Sequence, residues 1–129
     1  MSEQEPQIPI IQWQDEHQVT ISLPEGDLVG SYYAAWEHRF LICSVDVYRF
    51  ENRRQGIGRL LVETARDEAQ RIGARIIWSV LTSREAVDLM TSVFGQDAVA
   101  IERLGEYQSA GRGFITGTSA SLFYRMPEK

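Results

Sequence analysis

Apolar and polar residues alternate over 18–23 (QVTISL), and Pro24, Glu25, Gly26 and Asp27 follow, which predicts a strand and a tight connection. Residues 28–36 (LVGSYYAAW) are rich in aromatics and read as a second strand, with Glu37, His38 and Arg39 as a second turn. Residues 40–48 (FLICSVDVY) are nearly all apolar or β-branched and make the clearest strand of the chain. The first third is expected to be an antiparallel meander. The period then changes. Between 58 and 72, Leu60, Leu61, Ala65, Ala69 and Ile72 recur at helical spacing. Glu63 with Arg66 and Asp67 with Arg71 are placed to pair along the solvent side. Gly73 stands where a C-terminal cap glycine belongs. Residues 75–81 (RIIWSVL) read as a buried strand, and Thr82-Ser83-Arg84-Glu85 has the spacing of a capping box. It opens a second helix, apolar at Ala86, Val87, Leu89, Met90, Val93 and Phe94 and closed by Gly95. Residues 98–107 and 119–126 read as two final strands, with a glycine-rich loop (SAGRGFITGT) between them.

A strand–helix–strand step demands a right-handed crossover, so strands 40–48 and 75–81 are expected to be parallel. The expected fold class is α/β (α+β): a mixed, mostly antiparallel sheet with two main helices. At 129 residues the chain has the size of one domain. Residues 1–9, polar and carrying Pro6 and Pro9, read as a flexible tail, and 10–129 as the domain. No apolar run approaches the roughly 20 residues that span a bilayer. The first residues lack the positive start and apolar stretch of a secretory signal. The single cysteine, Cys43, can form no internal disulfide and cannot alone hold zinc. The expected address is cytoplasmic, with no membrane partner and no metal.

Charge narrows the partners further. Eighteen acidic against thirteen basic residues give a formal net charge of −5. That balance argues against binding nucleic acid through its backbone and favours cationic small molecules or basic peptides. The exception is a local basic cluster of Arg49, Arg53, Arg54 and Arg59. It contains the informative stretch, Arg53-Arg54-Gln55-Gly56-Ile57-Gly58-Arg59, between the clearest strand and the longest helix. Two glycines there let main-chain N–H groups point outward at a positive helix N-terminus, and the arginines add donors for phosphate oxygens. Pyrophosphate is the natural ligand of such a loop. It lacks the Gly-Lys-Ser/Thr run of a nucleoside-triphosphatase loop, and Leu61 stands where a dinucleotide fingerprint needs its third glycine.

Arg-x-x-Gly-x-Gly at 53–58, after a strand and opening an amphipathic helix, resembles the acetyl-coenzyme A signature of the GNAT superfamily of N-acetyltransferases. The resemblance runs from about Phe40 to Gly95, and the element order on either side agrees. The bland alternative is a glycine-containing helix start with solvated arginines. The resemblance implies that Arg53, Arg54, Gln55, Gly56, Ile57, Gly58 and Arg59 hold the pyrophosphate of acetyl-CoA. It implies that main chain near Tyr48 and Phe50 meets the pantetheine arm, wedged between parallel strands 40–48 and 75–81 where they splay apart. The implied reaction is direct attack of a primary amine, of a small molecule or a protein, on the thioester.

Two departures qualify it. The family often carries an asparagine at the start of the helix after the second core strand, and a tyrosine seven residues on that protonates the leaving thiolate. Here Ser83 and Met90 take those places, and methionine donates no proton. Ser83, Ser92, Tyr107 or Tyr124 would have to substitute, or the thiolate leaves unassisted or through water, or the protein does not catalyse. Residues 10–40 also leave no room for the helices that usually wall the acceptor site, so that groove is expected to be open or completed by a second subunit, which suggests a homodimer.

Asp46 is the leading candidate base, on the same strand face as Ser44 and Tyr48 and in an otherwise apolar strand expected to desolvate it. The alternative is that it bonds a neighbouring loop. Glu37 and Glu102 are the runners-up. His17 and His38, near turns, are expected to be structural, Cys43 to be a small buried hydrophobe, and the tryptophans to pack in a core or an interface. Two functions remain open: an N-acetyltransferase, or a non-catalytic module that binds acyl-CoA and regulates a partner. A phosphate-binding domain unrelated to coenzyme A is a weaker third.

Overall fold

The structure, a computed structural model, describes residues 8–48, 56–103 and 118–127. The first hairpin of the sheet turns at Asp15, whose Oδ1 accepts from the N–H groups of His17 and Gln18 at 2.7 and 2.8 Å. This short turn folds β1 (Ile10–Trp13) back on β2 (Gln18–Leu23). The hydrophobic pattern does not predict β1, because its adjacent isoleucines do not alternate. Ile10 and Ile11 stay exposed, and only Trp13 is half-buried. Pro24 and Glu25 turn β2 into β3 (Gly26–Tyr33), which lies antiparallel to β4 (Arg39–Val47).

The β3–β4 turn takes in Ala34, Ala35 and Trp36, which the aromatic pattern assigns to the strand. Glu37 and His38 adopt left-handed φ of 60° and 54° there. Such backbone costs about 1 kcal/mol per residue without glycine. Two bonds at His38 offset it: Tyr32 Oη to Nδ1 at 2.6 Å, and the Arg75 N–H to its carbonyl at 2.8 Å. His17 Nδ1 lies 3.2 Å from the Tyr32 carbonyl, so both histidines tie loops together. Trp36 is exposed on the Tyr33 ring and takes no part in the core.

The remaining elements are α1 (Ile57–Arg71), β5 (Ile76–Leu81), α2 (Arg84–Phe94), β6 (Val99–Arg103) and β7 (Ser119–Arg125). The seven strands form one sheet in the order β1-β2-β3-β4-β5-β7-β6. Every neighbouring pair is antiparallel except β4–β5, which α1 connects. Gly73, at φ 83°, ends α1 as expected, and the Ala74 N–H returns to the Ala69 carbonyl at 2.9 Å. The cap of α2 is Ser83, one residue later than the predicted Thr82–Glu85 box, and its hydroxyl accepts from the Ala86 N–H at 3.0 Å.

Leu61, Val62, Ala65 and Ala69 of α1 pack on Val19, Ile21, Leu28, Phe40 and Ile42, and α2 extends the same core with Val87, Met90 and Phe94. Val80, Phe123 and Ile101 of the sheet are exposed. Only Gln14–His17 separate β1 from β2, so no helix intervenes there. No helix among the described residues is long and apolar enough to cross a membrane.

Glu68 of α1 is a buried charge beside this core. It accepts from Arg71 Nε and Nη2 at 2.6 and 2.7 Å, and from Trp13 Nε1 at 2.7 Å. The Arg71 guanidinium, with Trp13 helping and burial opposing, holds its carboxyl below the usual range. A carboxyl depressed in the fold adds stability above its unfolded pKa and loses it as pH falls through the folded value. Glu68→Gln is therefore expected to cost about 1.5–3 kcal/mol at neutral pH, the range for bonds to a charged group. The gap should narrow below pH 4.5, the ordinary value. Denaturant titrations of both proteins between pH 3 and 7 check this (~4 pH units, enough to span the shift). A constant gap would contradict it.

Candidate functional site

The chemistry gathers where the sheet's one parallel pair comes apart. β4 and β5 pair at Arg39–Ile76, Phe40–Ile77 and Leu41–Trp78 only. Immediately beyond, the β3–β4 register steps: Val29 faces Ser44 but Gly30 faces Ile42, which leaves Cys43 as a bulged residue. A bulge bends its strand and raises the local twist, so β4 leaves β5 at this point. The same step changes which side chains are buried. Phe40 and Ile42 face the core before it, and Val45 and Val47 pack against the core after it. Cys43 is consequently exposed, not the buried hydrophobe its strand position predicts.

A cleft of about 780 Å³ opens between the diverging strands and runs under the first turns of α1 and α2. Its volume is that of a small-molecule site. Its walls offer main-chain groups. β4 is paired with β3 on its far side, and β5 with β7, but no ladder joins β4 and β5 past Leu41. The Tyr48 N–H donates to the Glu25 carbonyl at 2.9 Å, on the side of β4 away from β5. By the alternation of an antiparallel ladder, Asp46 also bonds toward β3, and the amides of Val45 and Val47 face the cleft. Backbone amides so placed need a partner. An extended ligand with amides of its own supplies one, in the manner of an added strand.

α1 begins at the mouth of this cleft. Gly56 precedes it at φ 78°, a left-handed conformation that glycine adopts freely, with no side-chain cap and no acidic residue in the first turn. The first N–H groups of α1 have no helical acceptor, and its first turn carries no acidic side chain to offset the positive end of the helix dipole. Gly58 lets the two helices meet, since a Cβ at this position would lie 3.3 Å from Leu89 Cδ2. Arg59 lines the cleft, with its Nε 3.5 Å from Glu63 Oε1.

Of the residues the sequence proposes, Asp46, Gly56, Gly58, Arg59, Ser83 and Met90 line this one cleft. Ile57 is buried at the helix start, and Tyr48 is exposed at the end of β4. Phe50, Arg53, Arg54, Gln55 and Tyr107 lie outside the described residues. Of the substitutes for the tyrosine, Ser92 donates to the Leu89 carbonyl and Tyr124 packs on Phe94, and neither lines the cleft. Glu37 sits in the turn at the other end of β4, and Glu102, on β6, accepts from Ser119 of β7.

Asp46 requires a correction. Its side chain is exposed, not desolvated, because the outer face of the sheet has no helix over it among the described residues. Asp27 lies directly opposite it on β3 and accepts from Tyr48 Oη at 2.5 Å. That bond, with the charges of Asp27 and Asp46, raises the Tyr48 pKa and keeps its phenol protonated. Glu85 and Asp88 add acid on the α2 wall, so the cleft carries Arg59 at one end and carboxylates along its open side. Among the described residues, no three His, Cys, Asp or Glu side chains come together as metal ligands.

The sequence and the fold both have counterparts among known proteins. The family model for the acetyltransferase (GNAT) family matches residues 2–95, nearly three quarters of the sequence. The chain belongs to that family. Solved structures agree on the GNAT fold. The Bacillus subtilis acetyltransferase in complex with CoA superposes with a TM-score of 0.61 at 15% identity, covering 85% of this chain and 76% of that one. Nourseothricin acetyltransferase gives 0.59 at 20% identity, covering 85% of this chain and 65% of its own length. A Bacillus anthracis chain solved with acetyl coenzyme A gives 0.57 at 13% identity, covering 88% and 65%. This GNAT chain thus spans under two thirds of the length of two of these neighbours. The search of curated proteins found no match.

Proposed function

We propose that this protein transfers the acetyl group of acetyl-CoA to a primary amine by direct attack on the thioester. The observation that carries this is the β4–β5 cleft, with main-chain edges that find no partner inside it among the described residues, and a helix N-terminus without a side-chain cap at its mouth. Pyrophosphate fits the N–H groups of α1 with Arg59, and the pantetheine amides fit the edge at Val45 and Val47. In the reaction the amine nitrogen bonds to the acetyl carbon, the carbon–sulfur bond breaks, the amine proton goes to a base and the thiolate takes up a proton. Asp46, on the open side of the cleft, holds the incoming amine and receives its proton through water, since it stands four residues along β4 from Ile42 at the apex. Ser83, whose oxygen already accepts from Ala86, keeps its hydroxyl proton to offer, again through water. The acidic rim of Asp27, Asp46, Glu85 and Asp88 favours a cationic acceptor.

Calorimetric titration with acetyl-CoA tests the coenzyme, with a nucleoside triphosphate as comparison. Micromolar binding of the acyl form and much weaker binding of the nucleotide are expected; no binding of acetyl-CoA ends the reading. A second reading, a non-catalytic acyl-CoA-binding module, is favoured by Met90 lining the cleft where the family often has a proton donor. Release of free thiol from acetyl-CoA that depends on added amine separates the two.

A further inference from the structure

Ser79 stands at the apex of the cleft and has no part in the reading above. It is 4% exposed, and its Oγ donates to the Ile42 carbonyl at 2.7 Å. Ile42 and Ser79 are the residues that would pair next if the β4–β5 ladder continued past Leu41–Trp78. The ladder stops there, and the bulge at Cys43 follows at once. A buried carbonyl at that position loses its main-chain donor as the strands part. The serine hydroxyl reaches across and replaces it. This bond is the last link between β4 and β5 among the described residues, and it holds the two strands at a fixed separation where the cleft begins. The apex around it is shut off from solvent and apolar: Ile42, Leu81 and Met90 line the cleft and are each 2% exposed.

We propose that Ser79 is a positioning residue that pins the apex of the cleft and so restricts the coenzyme to short acyl groups. The proposal rests on the acyl-CoA reading of the cleft. With the pyrophosphate at α1, the arm follows β4 from Val47 back toward Cys43, about 13 Å at the strand rise of about 3.3 Å per residue. The acyl group then arrives at Ile42, Ser79 and Met90. If the pin holds, that end of the cleft cannot widen, and each added methylene must displace packed atoms. Without the hydroxyl, the Ile42 carbonyl is left buried without its donor, the strands are free to shift, and longer acyl groups gain room.

The test compares affinities for coenzyme A, acetyl-CoA and butanoyl-CoA by calorimetry in the native chain, Ser79→Ala and Ser79→Thr. Native protein is expected to prefer acetyl-CoA over butanoyl-CoA at least about tenfold, the low end for methylene discrimination by an apolar pocket. Ser79→Ala should erase most of that preference while its affinity for free coenzyme A falls by less than about threefold. Ser79→Thr, which keeps the hydroxyl, should restore the preference. Ratios within one preparation do not depend on how much of a variant is folded. A Ser79→Ala preference equal to the native one overturns the proposal. Native protein that binds none of the three coenzymes instead overturns the acyl-CoA reading, and the role of Ser79 falls with it.

Discussion

Gly58→Leu is expected to weaken coenzyme A binding by at least about 100-fold, more than any other single change in the loop. A Cβ alone at this position would stand 3.3 Å from Leu89 Cδ2 and 3.9 Å from Val47 Cγ2. A leucine there wedges between α1, α2 and the end of β4, where the cleft meets the phosphate end. Overpacking of this kind costs about 1–3 kcal/mol. The affinity loss follows because the helix N-terminus moves relative to the strand edge, and one ligand must meet both. Gly58→Ala separates the effects. Its methyl meets only the flexible end of Leu89, and affinity should stay within about threefold, given the small volume added. Gly56→Ala probes conformation instead of space. Nothing lies within 4 Å of a Cβ at Gly56, but its φ of 78° is left-handed. That costs alanine about 1 kcal/mol, or roughly fivefold in affinity if the coenzyme needs the turn as it stands. Calorimetry with coenzyme A, on protein whose circular dichroism matches the native chain, measures all three. Native-like affinity in Gly58→Leu would remove the coenzyme from this end of the cleft.

Much of this framework was legible in the residues. The change from period two to period 3.6 after Tyr48 placed α1 to within one residue, and the strand–helix–strand order required the parallel pair. Gly73 and Gly95 marked both helix ends. What stayed hidden depends on where strands stop pairing. In 40–47 the run Phe40-Leu41-Ile42 is apolar on both faces, so it conceals the phase of the strand. The phase shows only at Ser44-Val45-Asp46-Val47, where the valines turn inward. Two incompatible phases in one strand are the mark of a bulge, and reading them so would have exposed Cys43. The exposure of Asp46 was hidden differently. An apolar strand implies cover on both faces, and here the outer face has no helix to provide it among the described residues. Ser79 could not be found at all, since a serine in a buried strand acquires meaning only from a carbonyl 37 positions away.

Asp46→Asn is expected to lower kcat/KM for transfer to an amine on the order of 100-fold, the usual contribution of a positioned base. Asparagine keeps the shape and accepts no proton. Which constant falls identifies the role. Loss in kcat with an unchanged KM for the amine means that Asp46 takes the proton during attack. Loss in KM alone means that it holds the ammonium form of the acceptor, a role that suits an exposed carboxylate paired across the ladder with Asp27. Asp27→Asn distinguishes these further. It replaces the charged acceptor of the Tyr48 phenol by a neutral amide oxygen and halves the charge of the pair, so it should raise the amine KM while leaving coenzyme A affinity unchanged. If Asp46 is the base, a pH dependence follows from the amine. An ammonium has no lone pair with which to attack the thioester, so the rate should climb with pH toward the amine's own pKa. A rate independent of pH from 6 to 9 (~3 units) would contradict that. Full amine-dependent activity in Asp46→Asn would clear Asp46 of either part.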